Sequence, residues 1–123
     1  MADLLRVLVV EDSHITVLKL SAMLAEMGHE VIATARSGAE ALSAYRDHRP
    51  DVVTMDITMP DMDGVQATQQ IVQEFPEAKI VMVTSHGQEK MVLAALNAGA
   101  KGYVLKPIRP EKLKATIAQA CSS

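Results

Sequence analysis

Polar residues that could do chemistry follow four short apolar runs of the sequence. They are Glu11 and Asp12, then Asp56, then Thr84 and Ser85, and finally Lys106, which Pro107 follows. Taken one at a time they have ordinary explanations, since an acidic residue after a strand is often a helix N-cap and a lysine is usually solvated. Their recurrence after four apolar runs indicates instead that they form one site.

Three carboxylates, one or two hydroxyls and one lysine in one cleft favour the binding of a cation and a phosphoryl group. The carboxylates repel one another and ionise together only beside positive charge. Their hard oxygen atoms select Mg²⁺ over softer metals, and Lys106 adds a movable positive charge. This set suits a phosphoryl transfer in which a carboxylate attacks phosphorus in line and becomes an acyl phosphate.

The elements that must position these residues form five alternating pairs. Apolar runs cover residues 7–10, 31–33, 52–55, 80–83 and 103–105. Most are continuous, as in parallel strands buried on both faces. Segments with helical periodicity follow them: the first ends at Gly28, the second begins with a capping-box pattern at 37–40, and the fifth begins near Pro110. The alternation predicts an α/β fold, with a doubly wound parallel sheet and ligands at the carboxyl ends of the strands.

Length and composition limit the function classes. The 123 residues suffice for a single domain, 1–123, and the net charge of −3 argues against direct nucleic-acid binding. No apolar run approaches the roughly 20 residues that span a membrane, and the N-terminus lacks the pattern of a signal peptide. The single cysteine, Cys121, can form neither an internal disulfide nor a structural zinc site by itself. We expect a cytoplasmic protein.

The chain resembles the receiver domain of two-component response regulators, in particular the stand-alone chemotaxis (CheY-like) type. The resemblance covers essentially the whole chain. It is carried by residues 11–12, 56–64, 83–85, 98–103 and 106–107. It implies a flavodoxin-like sheet of five parallel strands in the order 2-1-3-4-5, with helices on both faces.

The resemblance also implies roles for individual residues. Asp56 is the phosphoacceptor, and Asp12 and Asp56 bind Mg²⁺ directly with the backbone carbonyl of Thr58, while Glu11 acts mainly through water. Thr84 and Lys106 each contact a phosphoryl oxygen, and the backbone N–H groups of Thr58 and Ser85 are further donors. The Lys106–Pro107 bond resembles the family's cis peptide. Composition alone makes Tyr103 a core aromatic, whereas the family's pattern makes it a switch residue coupled to Thr84.

The implied partners are proteins. A histidine kinase is the phosphodonor, and a target binds the face made by helix 4, strand 5 and helix 5, with the flagellar motor switch as the first candidate. Residues 1–87 carry a net charge of −7 and residues 88–123 a net charge of +4. This asymmetry is either an ordinary solvated surface or a docking face for an acidic partner, and the family's partner surface favours the second interpretation. We expect a monomer.

Three functions compete for this sequence. The first is a signalling switch that catalyses its own phosphorylation and dephosphorylation but is not a conventional enzyme. It acts in chemotaxis or another two-component pathway, with a stand-alone phosphorelay intermediate as the alternative. The second is a Mg²⁺-dependent phosphatase with an aspartyl nucleophile; such enzymes commonly need an acid two residues later, where this chain has Thr58. The third, a flavodoxin-like cofactor binder, is disfavoured because the acidic loop at 11–12 would repel phosphate.

Overall fold

The computed structural model describes residues 4–85 and 87–122 and contains five strands that alternate with five helices. The strands are β1 (Arg6–Val10), β2 (Glu30–Ala35), β3 (Val52–Asp56), β4 (Ile80–Thr84) and β5 (Gly102–Leu105). The helices are α1 (His14–Glu26), α2 (Gly38–His48), α3 (Gly64–Glu74), α4 (Glu89–Ala98) and α5 (Pro110–Cys121). The predicted alternation is confirmed, with boundaries that differ by a few residues.

All strand pairs are parallel, and the sheet order is β2-β1-β3-β4-β5, as predicted. β2 lies on one side of β1, and β3, β4 and β5 follow one another on the other side. The order in which strands are added therefore switches sides between β2 and β3, where β1 and β3 lie next to each other. Their carboxyl ends therefore share an edge with the carboxyl ends of β4 and β5. This is the edge at which ligands bind in open α/β sheets.

The sheet has an apolar core layer on each face. Successive residues of a strand point to opposite faces and so contribute to different layers. Leu8 and Val10 of β1 pack in one layer with Ile71 of α3, while Val7 and Val9 face the layer that holds α1 and α5. The prediction of strands buried on both faces is confirmed for β3 and β4, in which every residue is buried. It is wrong for β2 and β5, which are partly exposed because they form the edges of the sheet.

Local signals fix most helix ends. Gly28 follows the C-cap of α1 with φ +86°, and Pro110 occupies the first turn of α5. At α2, the Ser37 hydroxyl accepts from Glu40 N, but the Glu40 carboxylate accepts from Arg36 N, so the predicted capping box is only half formed. A complete capping box joins Asp63 and Gln66 at the start of α3. None of the helices in the described ranges is long and apolar enough to cross a membrane.

Candidate functional site

The predicted site residues converge on a cleft at the carboxyl edge of the sheet. Glu11 and Asp12 follow β1, Asp56 ends β3, Thr84 ends β4, and Lys106 follows β5. The cleft has a volume of about 480 Å³. Its lining residues are Glu11, Asp12, Ser13, Asp56, Thr58, Ser85, Gln88 and Lys106.

The three carboxylates differ in burial. Glu11 and Asp56 are 2% and 5% exposed, whereas Asp12 lies at the exposed rim. Ser13 N donates to Glu11 Oε2 at 3.1 Å, which turns Oε1 toward the cleft. One oxygen from each of Glu11, Asp12 and Asp56 lies within 4.8 Å of the other two. The cleft therefore concentrates three acidic groups in a space small enough for a single ion.

Lys106 is the cation that the structure places among these acids. Its Nζ lies 3.1 Å from Glu11 Oε1 and 3.3 Å from Asp56 Oδ1. Its backbone N donates to Thr84 O at 2.7 Å, and the Lys106–Pro107 peptide bond is cis, as the resemblance implied. One ammonium thus bridges two buried carboxylates.

This single positive charge does not balance the acids. Burial, followed by the charge of Glu11, raises the pKa of Asp56 to about 7, although Lys106 opposes that shift. Burial alone lowers the pKa of Lys106, but contact with Glu11 and the charge of Asp56 outweigh it, and the net shift is upward. Lys106 therefore stays charged at neutral pH, while Asp56 without metal is mostly protonated only below about pH 7.

The donor set fits a divalent cation. All three groups offer hard carboxylate oxygens, and the buried Oε1 of Glu11 accepts no hydrogen bond from the described residues apart from its 3.1 Å ion pair with Lys106 Nζ. The raised pKa of Asp56, caused first by burial and then by the charge of Glu11, supports the same assignment, since a cation beside the cluster would stabilise the ionised carboxylate. Glu11, Asp12 and Asp56 could hold the ion, with Thr58 beside them in the cleft lining.

Gln88 is the centre of a hydrogen-bond network at the cleft, which joins it to residues at or just after the ends of β3 and β4. Gln88 Oε1 accepts from Thr84 Oγ1 at 2.8 Å and from Ser85 N at 3.0 Å. Gln88 Nε2 donates to Thr58 Oγ1 at 3.1 Å. Sequence reasoning missed Gln88, because no motif or periodic pattern singles out this residue between β4 and α4.

The sequence profile of the response regulator receiver domain matches residues 7–118. This chain belongs to the receiver domains of response regulators. The chemotaxis protein CheY of Bacillus subtilis is 42% identical over 108 residues, which are 88% of this chain and 90% of that protein. CheY of Thermotoga maritima is 41% identical with the same coverage.

Solved structures show the same receiver fold. A LuxR-family two-component response regulator from Aurantimonas superposes with a TM-score of 0.92 at 33% identity, covering 98% of this chain and 86% of that one. The CheX–CheY–BeF3–Mg²⁺ complex from Borrelia burgdorferi gives a TM-score of 0.87 at 36% identity, covering 91% and 85%. Receiver domains bind Mg²⁺ at an acidic pocket, and the cluster in this receiver domain is of that kind.

Tyr103 lies apart from the cleft of this receiver domain. The residue is 47% exposed, so the core interpretation of Tyr103 is wrong: it lies on the edge strand β5, on the side that faces the α4 groove, whereas its neighbour Val104 points into the core. It borders a neighbouring groove of about 400 Å³ between α4 and β5. The groove is lined by Thr84, Ser85, Gln88, Glu89, Val92, Leu93, Leu96, Tyr103 and Leu105. Ser85 and Gln88 line both spaces, whereas Thr84 lines the groove and reaches the cleft through its hydrogen bond to Gln88.

Proposed function

We propose that this protein is a phosphorylation-activated signalling switch that accepts a phosphoryl group on Asp56 from a histidine kinase, with Mg²⁺ as cofactor. The observation that carries the proposal is the buried Asp56 carboxylate at the end of β3, with the Lys106 ammonium in contact with both Asp56 and Glu11. Receiver-domain membership and the CheY relatives support the same function.

In the proposed reaction, a carboxylate oxygen of Asp56 forms a bond to phosphorus while the bond from phosphorus to the donor nitrogen breaks. The donor imidazole leaves with the electron pair of that bond. Asp12 and Asp56 would hold Mg²⁺ with the Thr58 carbonyl, and the ion would neutralise charge on the phosphoryl oxygens. Lys106 Nζ is 3.3 Å from Asp56 Oδ1 and can follow a phosphoryl oxygen on that atom.

Activation would pass from Thr84 to the surface. The Thr84 hydroxyl would turn to a phosphoryl oxygen, and Tyr103 would move toward the space left behind it. A ligand can favour one conformation only through contacts that are better in that conformation. Thr84 borders the groove that Tyr103 also lines, which supports this route from the site to the partner surface.

The proposed target surface combines apolar and basic residues. Large apolar side chains of α4 and β5 are exposed there: Leu93, Leu96, Tyr103 and Leu105. Exposed basic residues lie on α4, α5 and the segments that flank β5: Lys90, Lys101, Arg109, Lys112 and Lys114. Of these, Arg109 and Lys112 line a pocket together with Leu105. An acidic target with apolar anchor residues would complement this surface. We propose chemotaxis as the pathway, with the flagellar motor switch as the target and a phosphorelay as the alternative.

The test is phosphorylation by a small acyl phosphate with Mg²⁺, followed by intact mass spectrometry. Wild-type protein should gain about 80 Da per chain. Asp56→Asn should gain nothing because an amide oxygen is a poor nucleophile. Asp47→Asn, which changes an exposed aspartate of α2, is the matched control and should behave as wild type. Uptake by Asp56→Asn at the wild-type rate would refute the acceptor, and many rapid turnovers by wild type would indicate a phosphatase.

A further inference from the structure

Gln88 occupies the boundary between the acidic cleft and the groove beside α4. It immediately precedes α4, and its side chain turns back toward the end of β4. The amide oxygen accepts from both the Thr84 hydroxyl and the Ser85 N–H group, while the amide nitrogen donates to the Thr58 hydroxyl. One side chain thus joins the loops that follow β3 and β4.

The orientation of this amide follows from its partners. A backbone N–H can only donate, so Ser85 N requires the oxygen of Gln88 on its side. The Thr84 hydroxyl has one hydrogen, and its other acceptor, Ser85 O, lies farther away at 3.3 Å, against 2.8 Å for Gln88 Oε1. In this state the Thr84 hydroxyl donates its one hydrogen to Gln88 Oε1.

Thr84 and Ser85 N–H are also the groups proposed above to receive phosphoryl oxygens. A single hydroxyl hydrogen cannot serve the glutamine and a phosphoryl oxygen at once, so one acceptor must displace the other. An ionised phosphoryl oxygen is a stronger acceptor than a neutral amide oxygen. Phosphorylation of Asp56 would therefore release Gln88.

We propose that the Gln88 side chain is a displaceable substitute for the phosphoryl group, holding the Thr84 hydroxyl and the Ser85 N–H in the resting protein until phosphorylation takes them over. The inference rests on the proposed function. It assigns to Gln88 an influence on how readily phosphorylation of Asp56 activates the protein. Because Gln88 also borders the groove with Leu93 and Tyr103, its release would free the start of α4 from Thr84. Gln88 is thus a positioning residue that biases the resting state.

The first experiment measures the affinity for beryllium trifluoride with Mg²⁺, a phosphoryl mimic that needs no covalent transfer. Gln88→Ala removes the competing acceptor and should bind the mimic about three- to ten-fold more tightly, the equivalent of one net hydrogen bond. Gln88→Met, which keeps the length but not the acceptor, should show the same gain. Gln70→Ala, at an exposed glutamine of α3, should match wild type. Unchanged or weaker binding by both Gln88 variants would overturn the inference.

The second experiment observes the hydrogen bonds by amide NMR in the absence of metal and mimic. Gln88→Ala should shift the Ser85 backbone amide, and adding the mimic with Mg²⁺ to wild type should move the Gln88 side-chain amide to solvent-exposed chemical shifts. If the chemical shift of the Gln88 side-chain amide does not change when the mimic binds, the inference is overturned but the proposed function is not. Failure of wild type to bind the mimic, with no difference from Asp56→Asn, would overturn the proposed function and the inference with it.

Discussion

At the scale of single residues, the central feature is the buried acid Asp56, whose pKa is raised by burial and by the neighbouring charge of Glu11. Asp56 has a pKa of about 7 because burial and Glu11 together outweigh the attraction of Lys106. A protonated acid is a poor nucleophile and a poor metal ligand. In the proposed function, Mg²⁺ would therefore have a second task besides neutralising phosphoryl charge, which is to keep Asp56 ionised.

This balance predicts how metal and pH act together on stability. Unfolded Asp56 ionises at its ordinary pKa near 4, whereas folded Asp56 without metal keeps its proton up to about pH 7. Between these values the folded protein binds more protons than the unfolded chain, so the contribution of Asp56 to metal-free stability falls as the pH rises. Mg²⁺ binds the ionised form, and its stabilising effect should grow over the same range.

The measurement is the melting temperature with and without Mg²⁺ at about pH 6 and about pH 8. The gain from Mg²⁺ should be larger at the higher pH. Asp56→Asn should remove most of this difference, which assigns the effect to Asp56. An equal gain at both pH values in the wild type would contradict the prediction.

The two acids after β1 should contribute unequally to metal binding. Asp12→Ala should weaken Mg²⁺ binding more than Glu11→Gln, because Asp12 lies at the exposed rim as a proposed direct ligand while Glu11 is buried against Lys106. Affinities would be obtained from amide chemical-shift titrations with Mg²⁺, with Asp47→Asn as the control. Equal losses or the reverse order would exclude this ligand assignment.

At the scale of elements, the connection between β3 and α3 fixes the backbone beneath Asp56. Gly64, the first residue of α3, donates its N–H to Ile57 O at 2.6 Å. A Cβ atom at Gly64 would overlap the backbone carbonyl of Asp56. At Gly38, the first residue of α2, a Cβ would overlap only the side chain of Met62. A side chain at Gly64 would therefore clash with rigid backbone, whereas one at Gly38 would clash with a flexible side chain.

Gly64→Ala should lower the free energy of unfolding by about 1–3 kcal/mol, since relief of the clash requires a backbone shift. It should also slow phosphorylation, because the backbone that moves carries Asp56. Gly38→Ala is the matched control and should cost less, as the flexible Met62 side chain can move aside. Urea unfolding measures both variants, and a larger loss at Gly38 would show that the backbone contact is unimportant.

At the scale of the whole molecule, the sheet order makes the proposed phosphorylation site and the proposed partner surface neighbours. β4 and β5 lie side by side, so Thr84 at the end of β4 borders the same groove as Tyr103 of β5. The groove and the acidic cleft meet at Ser85 and Gln88. A change in the contacts of Thr84 therefore has a short route to a surface on which a protein can bind.

This arrangement predicts that Thr84→Ala uncouples the two spaces. The variant should still accept phosphate, more slowly, but Tyr103 should no longer respond to beryllium trifluoride. The chain has two tyrosines and one phenylalanine, so the ring signals of Tyr103 are readily followed by NMR, with buried Tyr45 as an internal reference. The coupling at stake is about 1–3 kcal/mol. A wild-type response of Tyr103 in the variant would show that Thr84 does not carry the signal.

The sequence by itself determined the parts of this protein that depend on local patterns. Continuous apolar runs predicted the central strands, and glycine and proline positions predicted the helix ends. Polar residues after four of the runs predicted the site, since parallel strands bring their carboxyl ends to one edge. The resemblance added the sheet order, which the structure confirms.

Only the tertiary structure decided the properties that depend on contacts between distant segments. The open groove between α4 and the edge strand β5 exposes Tyr103, although the apolar composition of residues 103–105 fits a core strand. The pKa of Asp56 depends on Glu11 and Lys106, which lie 45 and 50 residues away in the sequence. Gln88 binds Thr58 across 30 residues. Hydrogen bonds and charge interactions act over a few ångströms, so they are set by how the strands and loops assemble rather than by any one segment.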